Sequence, residues 1–264
     1  MDLKGKIALV TGGRRGIGKA IAEALHEEGC RVAIADIDGK EADEVAKSCG
    51  GFGEFVDVTN EGQLATFLTK VEMEMGPIDV CVSNAGIARS DGPTFQAAGA
   101  PNAIWESSWQ VNVMSSVYLA RHLIPGMTAR KSGIFVVVAS AAGLLNQMGS
   151  APYSATKHAA VSFAESLAIT HAEDGLKVLC VCPQGVRTEL IKGAEVSLKA
   201  SGPIIEPPAV ASEVMNAIAD GRRYVFTHEE TQPYFAARAN DPEGWIDRMI
   251  FARSVIKSKT GNKM

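Results

Sequence analysis

Short runs of β-branched and apolar residues alternate with longer helical patterns along the whole chain. Strands are predicted at residues 6–12 (KIALVTG), 31–36 (RVAIAD), 53–58 (GEFVDV), 79–85 (DVCVSNA), 133–140 (GIFVVVAS), 177–183 (KVLCVCP) and 223–227 (RYVFT). Helical periodicity fills the intervals at about 16–28, 40–48, 60–75, 103–130, 152–173 and 208–220. Strands that are apolar on both faces and separated by helices imply a mostly parallel sheet covered on both sides. Asn60 is placed to cap the third helix, with Gln63 completing a capping-box-like pair. With no internal repeat and no linker, the pattern predicts one doubly wound α/β domain over residues 1–264 with a seven-stranded sheet.

Two segments interrupt the alternation. Residues 87–102 form a long loop after the fourth strand, and residues 189–207 follow the sixth, in the position of a lid. Ligands on open α/β sheets bind beyond the carboxyl ends of the strands, so both segments are expected to rim a site. The tail at 228–264 has an amphipathic centre and a polar end, suited to docking on the domain or on a neighbouring subunit.

Composition narrows the function without naming it. The 264 residues are 46% hydrophobic and 21% charged, with a net charge of −4, ordinary values for a globular protein with a sizeable core. With no basic stripe or arginine-rich arm, nucleic acid is not an expected partner. The longest purely apolar run, IFVVVA, is too short to cross a bilayer, and the amino terminus lacks a secretory pattern. The five cysteines are an odd number, and Cys180 and Cys182 share a strand face without a completing histidine. They are read as reduced thiols in a cytoplasmic protein, and the five scattered histidines give no metal-ligand spacing.

The first chemical signal is TGGRRGIG at 11–18, joining the first strand to the first helix. Gly12, Gly16 and Gly18 leave room for a pyrophosphate to approach the backbone, and the helix N-terminus supplies amide donors. Arg15 and Ile17 lie in the same turn. Asp36, at the end of the second strand, is placed to accept the adenosine ribose hydroxyls and to repel a 2′-phosphate. Arg14 and Arg15 argue the other way, as cations that pair with such a phosphate, but position 37 is Ile and not a further arginine. NAD is therefore the expected cofactor, with NADP the alternative. Asp57 and Val58 at the third strand end are candidates for the adenine amino group and ring, and Asn84, Ala85 and Gly86 for the path of the cofactor backbone. Each taken singly fits ordinary turn chemistry, but the theme recurs at four strand ends.

The second signal is Tyr153 and Lys157, four residues apart and so on one helix face. Oxidation of a secondary alcohol requires its hydroxyl proton to leave with the hydride. An ordinary phenol, with a pKa of about 10, is too weak a base for that at neutral pH. A neighbouring ammonium and a positive nicotinamide ring both favour the phenolate, making Tyr153 the candidate acid/base. Ser140, at the end of the fifth strand, is a candidate donor to the substrate oxygen.

Taken together, TGGRRGIG, Asp57, NAG at 84–86, Asn112, Ser140 and the Tyr153–Lys157 pair resemble the classical short-chain dehydrogenase/reductase family, in order and spacing, from about residue 6 to residue 227. The resemblance implies a Rossmann fold and hydride transfer between a nicotinamide cofactor and an alcohol or ketone. It also implies that Lys157 holds the nicotinamide ribose and that Asn112 orders a water relaying protons to it. In the run PQGVRT it implies cofactor contacts from Pro183, Gly185, Val186 and Thr188. Gln184 stands where the family commonly has glycine, which makes it a candidate substrate contact beside Ser140, Ala142, Leu145 and Tyr153. Family members are often homotetramers built through two long helices, here about 103–130 and 152–173, so a homo-oligomer (dimer or tetramer) is expected. The expected substrate is a small molecule, an apolar or aromatic secondary alcohol or its ketone. The competing readings are an NADP-dependent ketone or acyl-thioester reductase and a non-catalytic cofactor-binding protein.

Overall fold

The computed structural model describes residues 2–92, 96–192 and 202–260. Its seven strands are β1 (Ile7–Thr11), β2 (Arg31–Asp36), β3 (Gly53–Phe55), β4 (Ile78–Ser83), β5 (Gly133–Val138), β6 (Leu176–Val181) and β7 (Tyr224–Val225). They form one sheet in the order β3-β2-β1-β4-β5-β6-β7. Every neighbouring pair is parallel, so the expected "mostly parallel" sheet is wholly so. The helices are α1 (Gly16–Glu27), α2 (Gly39–Ser48), α3 (Glu61–Met75), α4 (Asn102–Trp109), α5 (Ser115–Ala129), α6 (Ala142–Leu145), α7 (Ala151–Thr170), α8 (Pro207–Asp220), α9 (Thr231–Asn240) and α10 (Pro242–Thr260). The tail supplies α9 and α10.

Strand residues face both layers, which explains their unbroken apolar runs. Leu9, Cys81, Phe135 and Val137 face the layer of α3, α5 and α7. Ala8, Val10, Val136 and Val181 face the layer of α1, α2 and α8. Burying a large aliphatic or aromatic side chain stabilises by about 1.5–3 kcal/mol, and Leu9, Phe67 and Phe135 are fully enclosed.

Local chemistry sets the element ends. Asn60 caps α3 by accepting from the Gln63 amide at 3.0 Å. The Gln63 side chain does not close the expected box. It reaches three residues further back and accepts from the Asp57 amide at 2.9 Å, tying the end of β3 to α3. The helix predicted over 103–130 is a continuous rod with a π turn at Gln110–Met114, where the Ser115 amide reaches the Gln110 carbonyl. Such a turn moves the following side chains out of α register and frees backbone groups, and it recurs at functional sites. Strand order reverses between β1 and β4, so the crevice beyond their carboxyl ends is where this architecture holds ligands.

Candidate functional site

The floor of the crevice is built from three turns. Gly12 has φ 65° and Gly16 φ 58°, the left-handed region open to glycine. A Cβ on Gly18 would lie 2.3 Å from the Gly12 carbonyl oxygen and 2.4 Å from Asn84 Nδ2, so α1 sits flush on the turn only because residue 18 is glycine. Asn84 Nδ2 donates to the carbonyls of Thr11 (2.9 Å) and Gly12 (3.0 Å), while the Thr11 hydroxyl accepts from the amides of Asn84 (3.1 Å) and Ala85 (3.2 Å). The glycine turn is thus locked to the end of β4. Thr188 lies against it, since a Cβ on Gly16 would meet Thr188 Cγ2 at 3.1 Å.

Asp36 closes the adenosine end of the crevice. Its carboxylate is 6% exposed and accepts from the amides of Arg14 and Asp38, each at 3.2 Å. The Arg14 guanidinium lies 3.3 Å from Asp36, 3.7 Å from Asp38 and 2.6 Å from Glu41. Arg14 is thus committed to three carboxylates, which together raise its pKa, the Glu41 hydrogen bond most. Arg15 is exposed, and so is Ile37, at 66%. The Asp57 carboxylate spends one oxygen on the Thr59 amide (2.9 Å) and hydroxyl (2.8 Å). Val58 is buried in the core under α3, which leaves Ile37 the more accessible apolar side chain at this end.

The second half of the site lies at the carboxyl end of β5. Ser140, Tyr153, Lys157 and Asn112 are all buried and gathered there. The Tyr153 ring stands 5.7 Å from Lys157 Nζ, and Nζ donates to the Val138 carbonyl at 2.9 Å. Ser140 Oγ accepts from the Ala142 amide at 3.1 Å and donates to the Pro183 carbonyl at 3.4 Å. Asn112 Oδ1 accepts from the Ile87 amide and Nδ2 donates to the Ile87 carbonyl, both at 2.9 Å; Nδ2 also donates to Thr156 Oγ1 at 3.0 Å. The π turn therefore braces the loop after β4 against the turn of α7 that carries Lys157. Gly86 fits between, where a Cβ would be 3.4 Å from both Asn112 Oδ1 and Lys157 Nζ.

Burial dominates the electrostatics of the pair. It pushes the Tyr153 phenol above its ordinary value, and a hydrogen bond from Ser140 pulls it part of the way back. It pushes Lys157 down to about 8, with the thiols of Cys180 and Cys182 opposing. Nζ is turned to the Val138 carbonyl and both groups are desolvated, so burial is the largest influence on each of them.

Several anchoring residues carry no sequence signal. Asp91, in the loop after β4, accepts from the Ala151 amide at 2.5 Å and so caps α7 from another part of the chain, two residues before Tyr153. Beside it the Ser150 hydroxyl donates to the Arg89 carbonyl at 2.6 Å. Gln184, expected to face substrate, instead donates to Thr231 Oγ1 at 2.8 Å, fastening the loop after β6 to the start of α9. His228 Nε2 lies 3.2 Å from the carbonyls of both Gly185 and Pro203, and Ile205 runs beside Val186 as a parallel bridge. Both ends of the lid predicted at 189–207 are thus attached, while its residues 193–201 lie outside the described residues, as do 93–95 of the loop at 87–102. Ala142 and Leu145 fall on α6, and both are buried against the core.

Among the described residues no three histidine, cysteine or acidic side chains gather as a metal site, and no helix is long and apolar enough to cross a membrane.

A glycine turn at the switch point, with a serine, tyrosine and lysine at the next strand end, defines a nicotinamide-type oxidoreductase site. The family model described as short chain dehydrogenase matches residues 6–197, and the chain belongs to that family. It is 31% identical over 232 residues to the cis-4-hydroxycyclohexanecarboxylate dehydrogenase of Sinomonas cyclohexanicum, covering 83% of this chain and 92% of that one. It is also 31% identical over 225 residues to the 3-oxoacyl-acyl-carrier-protein reductase FabG of Escherichia coli, covering 83% and 90%. Among solved structures, a short-chain dehydrogenase/reductase from Burkholderia phymatum in complex with NAD superposes with a TM-score of 0.81 at 26% identity, covering 92% of this chain and 96% of that one.

Proposed function

We propose that the protein transfers hydride between NAD(H) and an apolar cyclic or aromatic secondary alcohol or its ketone. The observation that carries this is the gathering of Ser140, Tyr153 and Lys157 beside the crevice between β1 and β4. The cradle fits a dinucleotide: the Gly12–Gly18 turn has no room for a Cβ at residue 18, and it leads into the N-terminus of α1, whose first amides have no partner within the helix. Gly12, Arg15, Gly16 and Ile17 would hold the pyrophosphate side. Asp36 and Ile37 would hold the adenosine ribose, Asp57 and Val58 the adenine, and Asn84, Ala85 and Gly86 the central backbone. Pro183, Gly185, Val186 and Thr188 would hold the nicotinamide, with Lys157 on its ribose. When bound, the cofactor supplies the hydride acceptor or donor and a positive charge near the phenol.

The chain's own groups handle the proton. Ser140 donates to the substrate oxygen and steadies the charge that develops on it. Tyr153 takes the hydroxyl proton in oxidation and returns it in reduction. Lys157 would hold the nicotinamide ribose, and its charge would favour the phenolate. Asn112 holds Thr156 and Ile87 in place around it and is suited to ordering a water next to Lys157.

The preference for NAD rests on charge around Asp36. One guanidinium faces Asp36, Asp38 and Glu41, a net −2 where a 2′-phosphate would sit. The buried, free thiols fit a reducing, cytoplasmic setting. Trp109 on α4 and Ile169 on α7 are large exposed apolar side chains, which supports assembly into a dimer or tetramer through these helices. The cis-4-hydroxycyclohexanecarboxylate in the name of one relative carries a secondary alcohol on a ring, which supports a ring alcohol.

The test is titration with NADH and, separately, NADPH, followed by nicotinamide fluorescence, then a panel of cyclic and aromatic secondary alcohols. Tighter NADH with turnover of a ring alcohol is the expected result. Tighter NADPH would overturn the cofactor assignment in favour of an NADP-dependent reductase, and binding of neither would overturn the oxidoreductase reading.

A further inference from the structure

In the function proposed above, the segment from Ser140 to Tyr153, which carries α6, forms the wall beside the acid/base. On one side α6 is pressed against α7: a Cβ on Gly143 would lie 2.4 Å from the Lys157 carbonyl oxygen. Its other side rests on the tail. A helix leaves its last carbonyls without partners, and α6 is only four residues long and ends at Asn146 with φ 69°. Two donors from the tail supply what α6 lacks. The Arg238 guanidinium, on α9, donates to the Leu144 carbonyl. The Trp245 indole, on α10, donates to the Leu145 carbonyl at 3.3 Å.

Arg238 makes a second contact that ties the wall to the catalytic helix. Its Nη1 lies 3.0 Å from His158 Nε2, and His158 Nδ1 lies 2.8 Å from the Ser154 carbonyl. A carbonyl only accepts, so Nδ1 carries the proton and Nε2 accepts from the arginine. His158 follows Lys157 directly, and Ser154 follows Tyr153. Arg238 therefore braces α6 against the turn of α7 that bears both. Trp245 is held in its turn by Tyr234, whose ring is 6.1 Å away, and by the Arg248 guanidinium at 5.9 Å. The near end of α9 is fixed by the Gln184–Thr231 hydrogen bond, so the strap is anchored at both ends.

We infer that Arg238 and Trp245 are positioning residues for the substrate wall: by capping α6 and bracing it to α7, the C-terminal segment sets where the backbone between Ser140 and Tyr153 stands relative to α7 and thereby selects substrate. The assignment of this wall to substrate rests on the function proposed above. The strap itself does not depend on it.

The experiment compares the full-length wild type with Arg238→Ala, Arg238→Lys and Trp245→Phe, the last removing only an N–H from a ring of similar bulk. Hydrogen exchange is measured with NADH present, and oxidation of cyclohexanol and 1-phenylethanol is followed in parallel. Loss of a hydrogen bond to a charged donor corresponds to about tenfold or more in a local opening equilibrium. Arg238→Ala should therefore speed exchange across residues 144–149 by about that factor and leave residues 7–18 unchanged. Trp245→Phe should give a smaller increase, and Arg238→Lys should recover part of the protection. KM for the alcohol should rise about five- to thirtyfold with kcat within about threefold and NADH affinity unchanged, the range expected when a wall loses a hydrogen bond and shifts. Unchanged exchange at 144–149 in both Arg238→Ala and Trp245→Phe would overturn the inference. So would a fall in kcat and NADH affinity with KM untouched. Wild type that binds neither NADH nor NADPH would instead overturn the proposed function, and the exchange result would still decide the strap.

Discussion

Replacing Lys157 with Met tests the electrostatic description of the site most directly, because the expected effect on stability is opposite to what loss of a conserved-looking contact would give. Burial lowers the ammonium from its ordinary 10.5 to about 8. At 1.36 kcal/mol per unit, the folded protein carries a penalty of about 3 kcal/mol for keeping that charge at neutral pH. Methionine has nearly the same length and volume and carries no charge. Its cost is the hydrogen bond from the charged Nζ to the Val138 carbonyl, worth about 1.5 kcal/mol. In the absence of cofactor at pH 7, Lys157→Met should therefore be about 1.5 kcal/mol more stable than wild type, an increase in Tm of roughly 4 °C for a chain of this size.

The pH dependence supplies the sign check. Below about 8 the lysine is charged in both folded and unfolded chains, and the penalty is fully present. Between about 8 and 10.5 the unfolded chain binds more protons than the folded one, so wild-type stability rises with pH. The gap between variant and wild type should shrink across that window and reverse slightly near its upper end. Urea denaturation of both proteins at pH 7, 8, 9 and 10 measures it. A variant less stable than wild type at pH 7, or a gap that does not change with pH, would refute the reasoning. The variant should also fail to oxidise any alcohol the wild type accepts.

Four further outcomes are expected. Asp36→Ala removes the acceptor for the ribose hydroxyls, so NADH affinity should fall about tenfold to a hundredfold, as for one or two hydrogen bonds to a charged group, while NADPH affinity improves; parallel fluorescence titrations read both. Tyr153→Phe should lower kcat by about 10²–10⁴, the usual contribution of a positioned acid/base, with NADH affinity within about twofold. Since burial raises the phenol's pKa, wild-type alcohol oxidation should climb as pH rises and ketone reduction should be favoured at lower pH, which steady-state profiles in both directions would show. Gly18→Ala puts a methyl 2.3 Å from the Gly12 carbonyl oxygen. Overpacking of this kind costs about 1–3 kcal/mol, seen as a lower urea midpoint, and the displaced turn should lose most of its NADH affinity.

Much of the architecture is legible in local pattern. All seven strands and the six long helical stretches fall where apolar runs and periodicity place them, because two-sided burial leaves its mark on each strand separately. The glycine turn is equally legible, since positive φ and close approach are demands met at single positions. Gly12, Gly16, Gly18, Ser140, Tyr153 and Lys157 were all nameable for that reason. Other features were not. Gln63 is a helix N3 residue by pattern, yet it holds Asp57, because the Asn60 amide is already taken by the Asp57 carbonyl at 2.9 Å. Gln184 has the chemistry of a substrate contact, but its partner, Thr231, lies 47 residues away.

The chain's own sequence determined the order of elements, the positions where backbone conformation demands glycine, and which side chains are proposed to carry the chemistry, since each depends on neighbours within a few residues. Tertiary structure alone decided the environments. It turned Lys157 toward the Val138 carbonyl, committed Arg14 to three carboxylates, capped α7 with Asp91, and laid Arg238 and Trp245 across α6. Desolvation and long-range hydrogen bonding depend on what packs around a group in three dimensions, and no local pattern encodes that.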